Sequence, residues 1–302
     1  ATPDAVAPAA SAAAAADARE TGLAAEVAAA RVEGVGTLQV LAFGPMQVAR
    51  DGVALGAAEL APAKARELLL YFVLHPPRTK EQIALALWPD ASEARVRNAF
   101  HVTMHHLRRI LGRKDAVAFD GRAYALVRPP ADGRGAGATD AAPGFTIDCD
   151  VDAVLAAAAA ARDAERRRRE TDAATRAAWG AALGRAERGV LGEGVDAADW
   201  LVEHQDRLRA EWTAGLETLA RLHGAAGAHA DAVAVLELLV ARDPLRESAH
   251  RALMQGYVAL GEPARALAHY EQLAALVQRE VGAAPARETR QLAEALRRAA
   301  AV

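Results

Sequence analysis

One cysteine, Cys149, stands among 302 residues, so an intrachain disulfide framework and a multi-cysteine metal knuckle are both excluded. A reducing compartment, the cytoplasm, is the expected setting. Aromatic residues are only 4% of the chain, which leaves the cores to Leu, Val and Ala on closely approaching helices. Helix should dominate. No apolar run reaches the roughly 18 residues of a membrane span, and the first residues lack the positive region and apolar core of a signal peptide. The expectation is a soluble chain with no membrane partner. No glycine-rich loop is followed by Lys-Ser/Thr, and no Gly-x-Ser-x-Gly elbow is present. His101 and His105 are spaced like a helical metal pair, but no Glu follows the first and no third ligand is close in sequence. These gaps argue for a non-enzyme without a cofactor or a bound metal.

What is there is unevenly distributed. The chain carries a net charge of −3. Between Arg95 and Arg128, however, eight Lys or Arg (95, 97, 108, 109, 113, 114, 122, 128) face two acids, Asp115 and Asp120. A local basic surface gains by releasing counterions from a phosphate backbone wherever it sits in a slightly acidic protein. The length suits two domains. Residues 1–36, rich in Ala and Pro, read as a flexible leader with one weakly amphipathic helix over Arg19 to Val32. Residues 129–144, with Asp132-Gly133-Arg134-Gly135-Ala136-Gly137 at their centre, read as a linker, because no strand leads into those glycines.

Between leader and linker, short β runs (Leu38 to Phe43, Met46 to Ala49, Val53 to Leu55) are separated by Gly44-Pro45 and Asp51-Gly52, the signature of a small antiparallel sheet. Pro62 opens a helix that reaches Leu74 and stops at Pro76-Pro77. Thr79-Lys80-Glu81-Gln82 has the capping-box form and starts a second helix with Ile83, Leu87 and Trp88 inward. Asp90 and Ser92 are candidate caps for a third. In that third helix the spacing of Phe100, Met104, Leu107 and Leu111 marks a buried stripe. Asn98, Val102, His105, His106 and Arg109 then fall opposite, with His101 and Arg108 on the flanks. Asn, Arg and His offer donors to base edges and phosphates, and Val can meet a thymine methyl, so the mixture suits a major groove. A hairpin from Phe119 to Tyr124 follows. A sheet, three helices and a hairpin in this order make a winged helix-turn-helix over 37–128.

The platform sequence Leu41-Ala42-Phe43-Gly44-Pro45-Met46-Gln47-Val48 resembles the OmpR-type winged helix of the Streptomyces antibiotic regulatory protein (SARP) family. So do Ile83-Ala84-Leu85-Ala86-Leu87-Trp88-Pro89, Arg97-Asn98-Ala99-Phe100-His101-Val102 and Leu107-Arg108-Arg109-Ile110-Leu111. In that family the third helix enters the major groove and the wing approaches the neighbouring minor groove. The resemblance implies DNA contacts drawn from Arg97, Asn98, His101, Val102, His105, His106, Arg108 and Arg109 on the helix, with Arg122 and Tyr124 on the wing. One position departs. The family usually has Arg just before the Leu-Arg pair, where this chain has His106, preceded by His105. Histidine is mostly neutral at pH 7 and cannot make the bidentate contact of Arg to guanine.

The second domain, placed at 145–302, has a period. Gly227, Ala232, Leu236 and Leu239 recur as Gly261, Ala266, Tyr270 and Leu273, each 34 residues on, the tetratricopeptide spacing. Expected around them are a helix from Trp200 to His223 with Leu201, Leu208, Trp212 and Leu219 inward, one or two helices over Val151 to Ala182, and a terminal cap from Ala286 to Ala300. Arg166 to Arg169 is read as a solvated face and Cys149 as a passive residue at a helix start. Trp200-Leu201, Asp243-Pro244-Leu245-Arg246-Glu247, Ala266-Leu267-Ala268-His269-Tyr270-Glu271 and Glu280-Val281-Gly282-Ala283-Ala284-Pro285 resemble the bacterial transcriptional activator domain of the same family.

The fold class expected is mainly α, a winged helix-turn-helix followed by an all-α tetratricopeptide-like repeat domain. The resemblance implies an activator that binds double-stranded promoter DNA, forms a homodimer on direct repeats and engages RNA polymerase, with a protein or ligand of unknown identity in the repeat groove. The competing reading is a repeat-based adaptor whose winged helix docks protein instead of DNA.

Overall fold

The computed structural model describes residues 36–127, 146–195 and 199–300. The expected leader (apart from Gly36), Arg128 and the 129–144 linker lie outside the described residues. Two compact units emerge. The first holds the described residues up to Cys149 together with Gly192–Trp200; the second holds Asp150–Leu191 and the residues from Leu201 onward.

Along the first unit run β1 (Thr37–Leu41), β2 (Gln47–Arg50), β3 (Val53–Ala54), α1 (Ala63–Leu74), β4 (Arg78–Thr79), α2 (Lys80–Leu87), α3 (Glu93–Leu111), β5 (Val117–Phe119), β6 (Ala123–Leu126) and β7 (Thr146–Cys149). The platform is four-stranded, in the order β3-β2-β1-β7. Leu38, Val40 and Val48 alternate inward and are buried, the period-2 pattern of a half-covered sheet. The fourth strand corrects the domain boundary. β7 pairs parallel to β1, with Val40 opposite Cys149, so 146–149 completes the platform and does not open the repeat domain. Cys149, itself buried, accordingly ends this strand, and the helix begins at Asp150.

Helix α1 buries Leu68, Leu69, Leu70 and Phe72 and packs on α2 and α3. Its one buried acid, Glu67, is held by Lys64 at 2.6 Å, and the same ammonium donates to the Leu87 carbonyl. The capping box at α2 is complete: the Gln82 amide donates to the Thr79 hydroxyl and the Thr79 amide to the Gln82 side chain. Ile83 and Leu87 face inward as expected, while Trp88, at the helix end, is half-buried.

The second unit is helical: α4 (Asp150–Arg166), α5 (Ala173–Gly184), a 3-10 turn (Arg185–Arg188), α6 (Asp199–Ala225), α7 (His229–Arg242), α8 (Glu247–Ala259), α9 (Pro263–Val281) and α10 (Arg287–Ala300). The 34-residue spacing matches two successive helix pairs. Gly227 and Gly261 take positive φ just past the first helix of each pair, and Ala232 and Ala266 are buried where the paired helices cross. Tyr257, Leu253, Met254, Leu236 and Ala293 share one core. Arg166, Arg167 and Arg169 fan out around Asp163, all exposed.

Candidate nucleic-acid interface

Why α3 is a helix, and which way it faces, follows from one pattern. Phe100, Thr103, Met104, Leu107, Ile110 and Leu111 are buried, a stripe at spacings of three, one, three, three and one that seats the helix on α1. Glu93 in the first turn and Arg108 and Arg109 in the last complement the helix dipole. Ser92 occupies the N-cap position without a side-chain capping bond. The helix stops at Gly112, whose φ of 69° is left-handed, a conformation that costs glycine nothing.

Opposite the buried stripe lies an exposed row, Arg95, Asn98, Val102, His105 and Arg109. Its spacings of three, four, three and four keep all five on one face. Val102 is 49% exposed in the middle of it. Asn98, Val102, His105 and Arg109 belong to the expected set, and Arg95 does not. The signal that finds Arg95 is the continuation of the same row one turn toward the N-terminus.

The other expected contacts are placed less uniformly. His101 is exposed on one flank. Arg97 is exposed but turned farther round, where it pairs with Glu93 at 3.3 Å, one turn earlier. His106 and Arg108 are half-buried, and the Nε of Arg108 is enclosed without a hydrogen-bond partner among the described residues.

The charge of this face is not cancelled. Of the two acids between Arg95 and Arg128, Asp115 is gripped by Arg113 through bonds of 2.9 and 2.7 Å; the guanidinium holds its carboxyl below the usual range. Asp120 accepts the amides of Ala123 and Arg122 at 2.7 and 2.9 Å, and those amides lower its pKa. Among the described residues no ion pair engages Arg95, Arg109, Lys114 or Arg122. Arg50 is a further residue absent from the expected set. From β2 it pairs with Glu59 and reaches the Arg109 carbonyl at 3.5 Å, supporting the end of α3. Nothing in the local sequence marks it, because the contact spans 59 residues.

The wing is a three-stranded sheet in the order β4-β6-β5. Asp120, Gly121 and Arg122 turn the hairpin, with Gly121 at φ 92° and Arg122 exposed. Tyr124, expected as a contact, is half-buried. Its ring stacks on Phe119 at 4.5 Å and meets Phe100 edge-on at 5.1 Å. Between α2 and α3 opens a cleft of about 510 Å³, lined by Lys80, Ala84, Leu85, Trp88, Val96 and Arg97 among others. Leu85 there is 73% exposed.

Among the described residues no group of three or more His, Cys, Asp or Glu could hold a metal ion, and no helix is long and apolar enough to cross a membrane.

Residues 149–297, about half the chain, match the family described as the bacterial transcriptional activator domain. No curated protein matches the chain. Among solved structures it is similar to EmbR of Mycobacterium tuberculosis, determined in complex with a low-affinity phosphopeptide, at 21% identity and a TM-score of 0.62. That match covers 88% of this chain and 66% of EmbR, so the chain spans less than two thirds of its neighbour's length. Residues 149–297 thus carry the match to the bacterial transcriptional activator domain, and the fold, with a winged helix ahead of that domain in the sequence, is similar to that of EmbR.

Proposed function

We propose that the chain is a sequence-specific DNA-binding transcriptional regulator that activates promoters. The observation carrying this reading is the row Arg95, Asn98, Val102, His105 and Arg109, exposed on one face of α3, with Arg122 exposed at the tip of the following hairpin. Each residue type has a partner in a duplex. Asn98 can bond bidentately to adenine, Arg95 and Arg109 to guanine or phosphate, and Val102 can cover a thymine methyl. His105, with the half-buried His106, faces phosphate, and Arg122 reaches the backbone or the neighbouring minor groove. Activation follows from engaging RNA polymerase, and a homodimer would occupy direct repeats. The stacked helix pairs of the second unit offer a groove for a protein or ligand.

Purified chain should retain a set of genomic fragments that share a short direct repeat. Binding to such a fragment should weaken steeply with salt: for about four to six neutralised phosphates the log-log slope is about −4 to −5. Changing Arg109 and His106 together to Ala should remove most of the affinity. A flat salt response, with the double variant unchanged, would reject the proposal.

A second reading has its own support. The α2–α3 cleft presents Leu85 to solvent beside Trp88 and Val96, an apolar surface of the kind that docks protein. If the winged helix were only a protein platform, DNA would bind weakly at any pH. If His105 and His106 lie against phosphate, replacing both with Ala weakens DNA binding without abolishing its salt dependence.

A further inference from the structure

A wing helps a recognition helix only if its tip is held at a fixed offset from that helix. The hairpin alone does not guarantee this. β5 and β6 are three and four residues long, and the strand that flanks them, β4, has two. Sheets this small are marginal without support from packing.

The packing comes from a line of rings. Phe119 and Tyr124 face each other as the last cross-strand pair before the turn, and their rings stack at 4.5 Å with 28° between planes. Tyr124 in turn stands edge-on to Phe100 at 5.1 Å and 61°. Phe100 is 1% exposed, locked in the buried stripe of α3, with the Lys80 ammonium 5.2 Å from its ring centre. At the other end of the line Asp120 fixes the backbone of Arg122 by accepting its amide. Phe119 is 52% exposed. Burial alone does not explain an aromatic ring in that place, whereas stacking on Tyr124 does.

We propose that Phe119 and Tyr124 are positioning residues, an aromatic strut from Phe100 of α3 to the wing turn that sets where Arg122 meets the nucleic acid. This rests on the DNA reading above. Stacked and edge-on ring pairs resist sliding and tilting, so the strut keeps the helix and wing contacts in register. Tyr124 then serves DNA binding without being a contact, which fits its half-buried side chain.

A double-mutant cycle on the full chain tests it. In the unaltered protein Arg122→Ala should weaken binding about tenfold and reduce the salt slope by about one. In a Phe119→Ala/Tyr124→Leu background the same change should cost less than about twofold, because an arginine no longer held in register contributes little. Tyr124→Phe with Phe119 intact should restore the full Arg122 effect. Far-UV circular dichroism establishes that each variant is folded, and Phe119→Ala alone, which alters an exposed ring, replaces the pair if Tyr124→Leu fails to fold. An equal Arg122 effect in both backgrounds would overturn the strut and leave the DNA reading intact. Binding by the unaltered chain that is flat with salt would overturn the reading and the strut together.

Discussion

His250 bonds through Nε2 to the Pro244 carbonyl at 3.0 Å and through Nδ1 to His269 Nε2 at 2.8 Å. A carbonyl only accepts, so His250 carries a proton on Nε2; with both rings neutral it accepts at Nδ1 and His269 is the donor. Burial first, and the neighbouring His250 second, push His269 down to about 4. Burial lowers His250 too, against the pull of the Pro244 carbonyl, Glu247 and Asp243. His223 is lowered by burial against the opposing charge of Asp231, and accepts from the Arg176 guanidinium at 3.4 Å. Groups whose folded pKa is depressed in this way leave the unfolded chain to take protons first, near the ordinary histidine value of about 6.5. The second unit should therefore be equally stable above about pH 7 and lose roughly 2 kcal/mol as the pH falls from about 6.5 toward 4. Thermal unfolding of the whole chain across that range reads this directly, and His269→Gln should flatten the profile. Stability unchanged between pH 7 and 4.5 would contradict it. None of these partnerships is legible in the sequence. Burial of Glu67, Asp150 and Arg176 depends on neighbours that only the tertiary fold supplies, and the same holds for Arg50 behind α3.

Helix crossings in an alanine-rich chain depend on a few small residues. A Cβ on Gly215 of α6 would lie 2.8 Å from the Ala158 Cβ and 3.2 Å from its Cα. The backbone of α4 cannot move aside cheaply. Gly215→Ala should cost about 1–3 kcal/mol of overpacking, which outweighs the up to about 1 kcal/mol of helix propensity it gains. Gly224, near the end of the same helix, has nothing within 4 Å of its would-be Cβ. Gly224→Ala should stabilise by about 0.5–1 kcal/mol. Opposite shifts in melting temperature from these two changes are the expected result; the same sign for both would refute the assigned crossing. The long elements were the legible ones. Helix α6 buries Leu201, Leu208, Trp212 and Leu219, and the buried stripe of α3 follows from its period, because each extends over enough turns for the 3.6-residue repeat to stand out. Two-residue β4 and four-residue β7 carry no such repeat. β7 finds its place by pairing with β1, more than a hundred residues away, and local pattern holds no record of that.

At the scale of the whole molecule the basic residues gather locally around α3 and its hairpin. A chain with net charge −3 places Arg95, Arg109, Lys114 and Arg122 around α3 and its hairpin with no ion pair among the described residues, while in the second unit Arg162, Arg221, Arg246, Arg265 and Arg297 are among the arginines matched to a carboxylate. Cations left without partners can serve an external anion; those already paired stabilise the repeats or their surface. The composition disclosed the excess of charge, and the helical period disclosed its direction. Which of His101, His106, Arg97 and Arg108 belong to the face was settled only by packing at the edges of the stripe. The central claim is that the exposed face of α3 lies in a major groove. Guanine N7 methylation on a bound direct-repeat fragment tests it most directly, since N7 opens only to that groove. Protection of N7 within the repeat, abolished by Arg95→Ala/Arg109→Ala while the variant stays folded, is the predicted result. Guanines that remain fully reactive in the saturated complex would contradict it.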